Sequence, residues 1–363
     1  MIIRKLDLYI AKKFIFTFLI ALVLIIGIVI IFDISEKIDD FVQKNAPLKE
    51  IVFDYYLNFI PYFTNMFSPL FVFITVIFFT SRMAANSEIV AILSCGVSFH
   101  RMMLPYLVSA MMIALVSLSF NLFIIPKANT KINEFKSKYI RYADNRTADD
   151  NVHYQIDKGQ FVYVESFSKW NNTAYQMTLE TIRDNRLVSK LTAETAVWDS
   201  TMRGWHLKNY FIRNYSEDVI EDKVVSGEEK DTIINLTIED FYRKKSTVEN
   251  LSFRELNKLI QTQKMRGDAN INYSLIERNM RFAMPFSAFI LTIIGVALSS
   301  KKRRGGIGWN LAIGITLSFS YILFQRFSQM FVSTGTLPPG VAIWLPNIVY
   351  AIIATVLYKI APK

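Results

Sequence analysis

The sequence predicts a membrane α-helical fold with a β insert: six transmembrane helices, arranged three plus three, flanking an external β domain. Three observations predict it. Of the 72 charged residues, 48 fall between Lys127 and Arg281, leaving long apolar flanks. Those flanks divide into six uncharged intervals of membrane length. Between them the hydrophobic period shifts to two. Composition agrees, with 52% hydrophobic residues, 29 Phe and only 20% charged residues, against a usual quarter. An ordinary soluble globule, a disordered chain and a disulfide-stapled domain are excluded. The net charge of +10 does not indicate nucleic acid. The middle holds 25 basic and 23 acidic residues, so the basic excess belongs to the apolar flanks.

A bilayer core needs about 20 mainly apolar residues in helical form. Phe14 to Phe32, Tyr55 to Ser81 and Met102 to Pro126 meet that length before the middle. Phe282 to Ser300, Gly305 to Gln325 and Phe327 to Tyr358 meet it afterwards. The first stretch is too long for the apolar core of a cleaved signal and lacks a small-residue cleavage site. Pro61, Pro69, Pro105, Pro285 and Pro346 fall inside spans and read as kinks, with none taken as a site.

Loop charge sets the orientation. Arg4, Lys5, Lys12, Lys13, Arg82, Arg101, Lys301, Lys302, Arg303, Arg304, Lys359 and Lys363 all fall on one side of a six-span chain. By the positive-inside rule that side is cytoplasmic and holds both termini, which puts the insert outside. The domain boundaries expected are 1–126 for the first three spans, 127–270 for the insert with flanking helical segments, and 271–363 for the last three.

In the insert, Gln160 to Glu165, Tyr175 to Glu180 and Trp205 to Phe211 alternate as half-buried strands. Asp157-Lys158-Gly159, Asp184-Asn185 and Arg203-Gly204 supply turns. Short strands at this spacing suggest a sandwich or jelly roll. Lys127 to Tyr142 reads as a helix continuing the third span. Ser252 to Gln263 reads as a short amphipathic helix with Phe253, Leu256, Leu259 and Ile260 on one face.

Chemistry-bearing motifs are absent from the sequence. It has no phosphate-binding loop, nucleophile elbow, H-E-x-x-H or C-x-x-C. His100, His153 and His206 are scattered, and a metal site needs three or four converging ligands. Cys95 stands alone and can form no intrachain disulfide. Trp309 and Trp344 sit near span ends as interfacial anchors.

The informative segment is Asn86 to Ser98, between the second and third spans. Asn86 or Ser87 can cap a short helix, Glu88 suits its N-terminus, and Gly96 can end it in a left-handed conformation. Ile89, Ile92 and Leu93 then form an apolar face on a helix too short to span. Such a face in the cytoplasm needs cover. One reading lays it on the bilayer surface; the other docks it in a groove of a separate ATPase.

Ser87-Glu88-Ile89-Val90-Ala91-Ile92-Leu93-Ser94-Cys95-Gly96-Val97-Ser98 resembles the coupling segment of the lipopolysaccharide-export permeases, the LptF/LptG family. Leu6-Asp7-Leu8-Tyr9-Ile10, Gly159 to Glu165, Leu337-Pro338-Pro339 and Trp344-Leu345-Pro346 support it in order along the chain. The start and the Pro-Pro ending resemble the LptG type more than the LptF type. The resemblance implies a permease subunit of an ABC transporter in the bacterial inner membrane. Such a subunit extracts lipopolysaccharide from the outer leaflet through lateral gates near spans one and five. It also implies a paralogous permease subunit, a cytoplasmic ATPase dimer holding ATP and Mg²⁺, and a periplasmic jelly-roll bridge protein with one membrane span. No cofactor is expected on this chain. Glu88, Ile89, Ile92, Leu93 and Gly96 would make the ATPase coupling.

Lipid A phosphates lie near the outer headgroup level, so a lateral entrance needs cations at that depth. Lys37 and Lys44 follow span one, and Lys127, Lys131 and Lys136 follow span three. The family's basic positions map onto Lys37 and Lys136. The mixed charges around Lys37 depart from the family's simplest pattern. Arg326 lies deep in an apolar region, where a charge is costly unless it faces a cavity or partner, so a cavity-facing role is expected. Two other functions remain open: a receptor whose external β domain binds a ligand, and a membrane enzyme, for which no acid–base pair is evident.

Overall fold

The computed structural model describes residues 5–140, 149–215, 223–242, 248–268, 271–301 and 306–361. The chain forms two compact units. One comprises Met1–Arg141, Glu249–Phe253 and Leu275–Lys363; the other comprises Tyr142–Val248 and Arg254–Ser274.

The first unit contains six helices long and apolar enough to cross a membrane. Span one is Lys5–Gln43, span two Leu48–Ala85 and span three Phe99–Tyr139. Spans four, five and six are Ile271–Ser299, Gly306–Ser333 and Pro339–Ile360. Span one is one unbroken helix of 39 residues. At 1.5 Å per residue it is about 58 Å long, well beyond a hydrocarbon core of about 30 Å. Its last turns therefore carry Asp33, Glu36, Lys37, Asp39 and Asp40.

Two details of the helices differ from the uncharged intervals. Arg326 does not divide spans five and six; it lies inside span five, which runs on to Ser333. One charge on an exposed helix face costs the backbone nothing. The break comes where Gly335 adopts φ +73° and Pro338-Pro339 starts the next helix, the residue types that end and begin helices. Spans two and three also contain widened π turns, at Ile51–Tyr56 and Phe120–Ile124. The second lies just ahead of Pro126, whose ring clashes with the carbonyl four residues back. The interior prolines named above sit within continuous helix.

Aromatic packing fills the unit's core. Phe79 stacks on Tyr106 at 5.3 Å, and Phe14 lies 5.7 Å from Phe79. Gly314 lets span five approach Ile77 so closely that a Cβ would collide with it. Several polar groups buried between spans find partners there. Asn347 donates to the Ala283 carbonyl at 2.8 Å and accepts from the Tyr321 hydroxyl at 2.9 Å. Asn65 donates to Asn121 at 2.7 Å and accepts from Ser117 at 2.5 Å. Lipid offers no alternative partners, so such groups must find them internally.

The second unit holds a six-stranded antiparallel sheet. The strands are β1 (Asp149–Asp157), β2 (Gln160–Ser168), β3 (Thr173–Arg183), β4 (Arg186–Asp199), β5 (Gly204–Asn214) and β6 (Lys223–Thr232). Each expected strand falls inside one of these, and each expected turn joins two. Asp184 and Asn185 both have positive φ, the form of a two-residue hairpin turn whose twist matches the strands. The pairing order is β1-β2-β3-β4-β5-β6. This meander in one hydrogen-bonded sheet differs from the two sheets and crossovers of a jelly roll. Its physical reason is that short links pair each described strand with the next one in sequence.

One sheet face is apolar, with Ile156, Val162, Val164, Met177, Ala193 and Leu207 buried. Trp205 is fully buried beside them and donates its indole N–H to the Leu236 carbonyl at 2.8 Å. Phe241, from a short helix at Ile238–Tyr242, stacks on Phe167 at 4.2 Å. The amphipathic helix expected near 252 runs Phe253–Arg266 and buries Leu256, Leu259 and Ile260. Span three's helical extension ends at Tyr139, and the expected end at Tyr142 lies outside the described residues.

Candidate functional site

The segment between spans two and three forms a helix at Glu88–Ser94. Gly96 ends it as expected, with φ +80° and its N–H on the Leu93 carbonyl at 3.0 Å. Ser87 occupies the N-cap position but in a left-handed conformation, and its side chain makes no capping bond. Glu88 is held from span one instead. Its Oε2 accepts from the Tyr9 hydroxyl at 2.9 Å and lies 3.4 Å from Lys13 Nζ. Partial burial works against its ionisation, yet bonds from Tyr9, Asn86 and Lys13 outweigh that and hold the carboxyl below the usual range.

The expected exposed face of Ile89, Ile92 and Leu93 needs correction. Ile89 is buried, and Ile92 and Leu93 are half-buried against the core of the helical unit. Burial of their apolar area is satisfied within the chain. The outward strip is Val90, Ala91, Ser94, Cys95 and Gly96, with Val90 58% exposed.

Downstream, the Ser98 hydroxyl accepts the Arg101 N–H at 3.3 Å, capping span three. The Arg101 guanidinium then grips Asp7 of span one with two bonds, 2.7 Å and 2.6 Å. From sequence Arg101 reads only as a loop charge and Asp7 only as part of the Leu6–Ile10 motif, with nothing to pair them.

The second cluster lies where the other end of span one meets spans two and three. Lys37 pairs with Asp33 one turn earlier and donates to the Tyr55 hydroxyl at 2.8 Å. The Tyr55 and Tyr56 hydroxyls donate to the two oxygens of Asp33, at 3.3 Å and 3.0 Å. Lys37 is therefore already neutralised inside the chain. Phe41 and Phe135 pack 5.8 Å apart beside Tyr55, so Lys136 adjoins the same cluster. Lys136 is half-buried, whereas Lys44, Lys127 and Lys131 are exposed and no described contact gathers them with Lys37. Arg326 is exposed on span five beside Met66 Sδ, at 3.9 Å, rather than pointing into this chain's interior. From sequence Asp33 reads only as one of the mixed charges around Lys37, and Tyr55 and Tyr56 carry no signal. The signal that was there is the i,i+4 spacing of Asp33 and Lys37.

A cavity of about 270 Å³ lies between spans one, two and three, lined by Ile15, Phe18, Leu22, Asn65, Ile113 and Ser117 among others. Among the described residues no group of three or more His, Cys, Asp or Glu is placed to hold a metal ion.

Six membrane-length helices interrupted by a β domain, with a short helix fastened across one end of the bundle, define a multi-pass membrane protein. The family model described as "Lipopolysaccharide export system permease LptF/LptG" matches residues 8–360, nearly the whole chain. The chain belongs to that family, a permease component of an ABC transporter in the inner membrane. The match does not separate the LptF type from the LptG type. Comparison with curated proteins found no match.

Proposed function

We propose that this chain is a transmembrane subunit that takes lipopolysaccharide from the outer leaflet and passes it to a periplasmic bridge. It works with a paralogous permease subunit and draws on ATP and Mg²⁺ held by a cytoplasmic ATPase dimer. In this reading 1–126 and 271–363 form the permease body, and 127–270 the periplasmic domain. Lys5, Lys12, Lys13, Arg82, Arg101, Lys301 and Lys359 face the cytoplasm; Arg4, Lys302, Arg303, Arg304 and Lys363 of the same group lie outside the described residues.

The observation that carries the reading is the 87–98 segment. It pairs an anchored, apolar inner face with a small-residue outer strip, beside the basic end of span one. A smooth strip of Val90, Ala91 and Gly96 suits close approach by a partner, while Ile89, Ile92 and Leu93 anchor the helix that carries it. The headgroup cations of this reading are Lys37, Lys136 and Arg326, with Lys44, Lys127 and Lys131 at the rim. Lys37 reaches a phosphate by exchanging Asp33 for it.

Glu88→Lys tests the docking. It replaces a carboxylate held by Tyr9 and Lys13 with a repelling charge, and should lower ATPase coupling and export while insertion persists. Normal export by that variant would remove the docking role. Labelling tests the orientation: a cysteine at Asn172 should react in intact spheroplasts, and one at Lys302 only after permeabilisation.

A further inference from the structure

We infer that Asp7 and Arg101 are positioning residues, forming the link through which the 87–98 segment drives span one. The inference rests on the permease reading, because it takes the ATPase contact as the source of the motion. The geometry lies entirely within the helical unit. Arg101 begins span three two residues after Phe99, and its backbone is fixed by the Ser98 cap at the end of the segment. Its guanidinium holds both oxygens of Asp7, a carboxylate only 8% exposed. A bidentate Arg–carboxylate pair fixes orientation as well as distance, which a single Lys contact does not. The Tyr9 and Lys13 contacts with Glu88 add a second tie from the segment to the same helix.

Span one is built to carry what these ties deliver. It is a single helix from Lys5 to Gln43, without interior proline. Its middle presents Phe16, Leu19, Val23, Leu24, Ile28 and Phe32 outward. Behind its Ile15, Phe18 and Leu22 lies the 270 Å³ cavity. In lipid, apolar contact between helices brings no hydrophobic gain over contact with acyl chains, so this outward face does not pin the helix. The polar ties at the two ends hold it. At the far end the tie is Asp33, through Tyr55 and Tyr56, beside Lys37. A displacement of the segment therefore reaches the Lys37 cluster along one continuous helix.

The competing role for the pair is a static staple, and the test separates the two. The full complex with its ATPase is placed in vesicles containing lipopolysaccharide, and ATP hydrolysis, lipid release and thermal stability are measured together. Asp7→Asn and Arg101→Gln should leave hydrolysis within about twofold while lipid released per ATP falls about tenfold, because the two-point grip is lost. The exchange Asp7→Arg with Arg101→Asp should restore most of that ratio, as expected of directly coupled residues. Unchanged release per ATP in both single variants overturns the link. So does a loss that tracks falling thermal stability and is not recovered by the exchange. If the wild-type complex itself retains no ATPase or releases no lipid, the permease reading fails first and the link falls with it.

Discussion

The two units hold themselves together by opposite means. In the sheet unit, water drives Trp205, Phe167 and Phe241 into one core. One ion pair there, Arg266–Asp240, is buried, but others, such as Lys190–Glu180 at 2.8 Å, lie on the open side with side chains 41% and 35% exposed. Pairs of that kind contribute about 0–1 kcal/mol. In the helical unit the order reverses. Apolar side chains pack densely between spans two and four but face outward along spans one, three and five. Position there is set by polar ties: Asp7–Arg101, Asp33 with Tyr55 and Tyr56, and Asn347 with Tyr321. The difference teaches where to look for transmitted motion. A water-driven core resists displacement throughout its volume, whereas a lipid-facing helix is constrained at the few points where polar groups meet.

Trp205→Ala should have the largest effect. It removes a fully buried ring touching Phe167, Phe241 and Trp198, and frees the Leu236 carbonyl. Large-to-small changes of this kind cost about 3–5 kcal/mol. Limited proteolysis of the full chain should show cleavage within the insert, with the spans intact. A smaller effect than any single polar change in the spans would overturn the division drawn above.

Next is Asp33→Ala. It takes the carboxylate from the Lys37 ammonium, which keeps only Tyr55, and removes the acceptor of two tyrosine hydroxyls. Leaving buried donors unpaired costs about 1–3 kcal/mol, and Asp33→Asn, which keeps an acceptor, should cost less. Thermal melting of the full chain in detergent measures both. Equal melting of Asp33→Ala and wild type would show that this cluster does not hold span one. Asn347→Leu should follow at about 1 kcal/mol, the usual scale for hydrogen bonds between membrane helices. It loses its bonds to Tyr321 and Ala283 while keeping side-chain volume.

These residues also show what the sequence makes legible. Runs of uncharged residues between Lys13 and Asp33, or between Arg101 and Lys127, locate spans because the bilayer enforces them one at a time. The alternation at Gln160 to Glu165 locates strands for a similar local reason. Arg326 misled the division of the last two spans, because charge is a poor marker of a break made by Gly335 and Pro338. Strand order was not legible as a meander, since pairing between strands leaves no mark in their alternation. The 87–98 segment was found, but its burial pattern was not. Ile89 reads as an exposed apolar residue until the spans it packs on are in place. Lys37 likewise reads as an available cation until Tyr55, 18 residues away, is brought to it. A sequence indicates which residues can make a contact; the fold decides which contacts are already made.

The smallest expected effect is a pH response at the β6 edge of the sheet. His206 on β5 lies opposite Asp231 on β6, with Nδ1 2.6 Å from Oδ1 and Nε2 3.7 Å from Glu229 Oε2. The bond to Asp231 raises the imidazole above its ordinary value of 6.5; burial opposes this, and the charges of Asp231 and Glu229 add to it. Other charges nearby do not reverse this. Lys208 lies 3.9 Å from the second oxygen of Glu229. Asp199 stays ionised, because the Thr201 and Met202 N–H groups hold its carboxyl low. The sign follows from linkage. A raised histidine contributes its full stabilisation below 6.5 and loses it as pH rises through the higher folded-state value. Amide protection in β6 should therefore fall as pH rises above the ordinary histidine value and through the higher folded-state one, after correction for intrinsic exchange. His206→Gln should flatten the change, because glutamine pairs with Asp231 without titrating. The spans should show no parallel response, since the Asp7–Arg101 tie contains no imidazole. A β6 profile that stays flat in the wild type would remove His206 from the edge contact. A response shared by span one would erase the contrast between the units, because it would require a titrating tie in the helical unit as well.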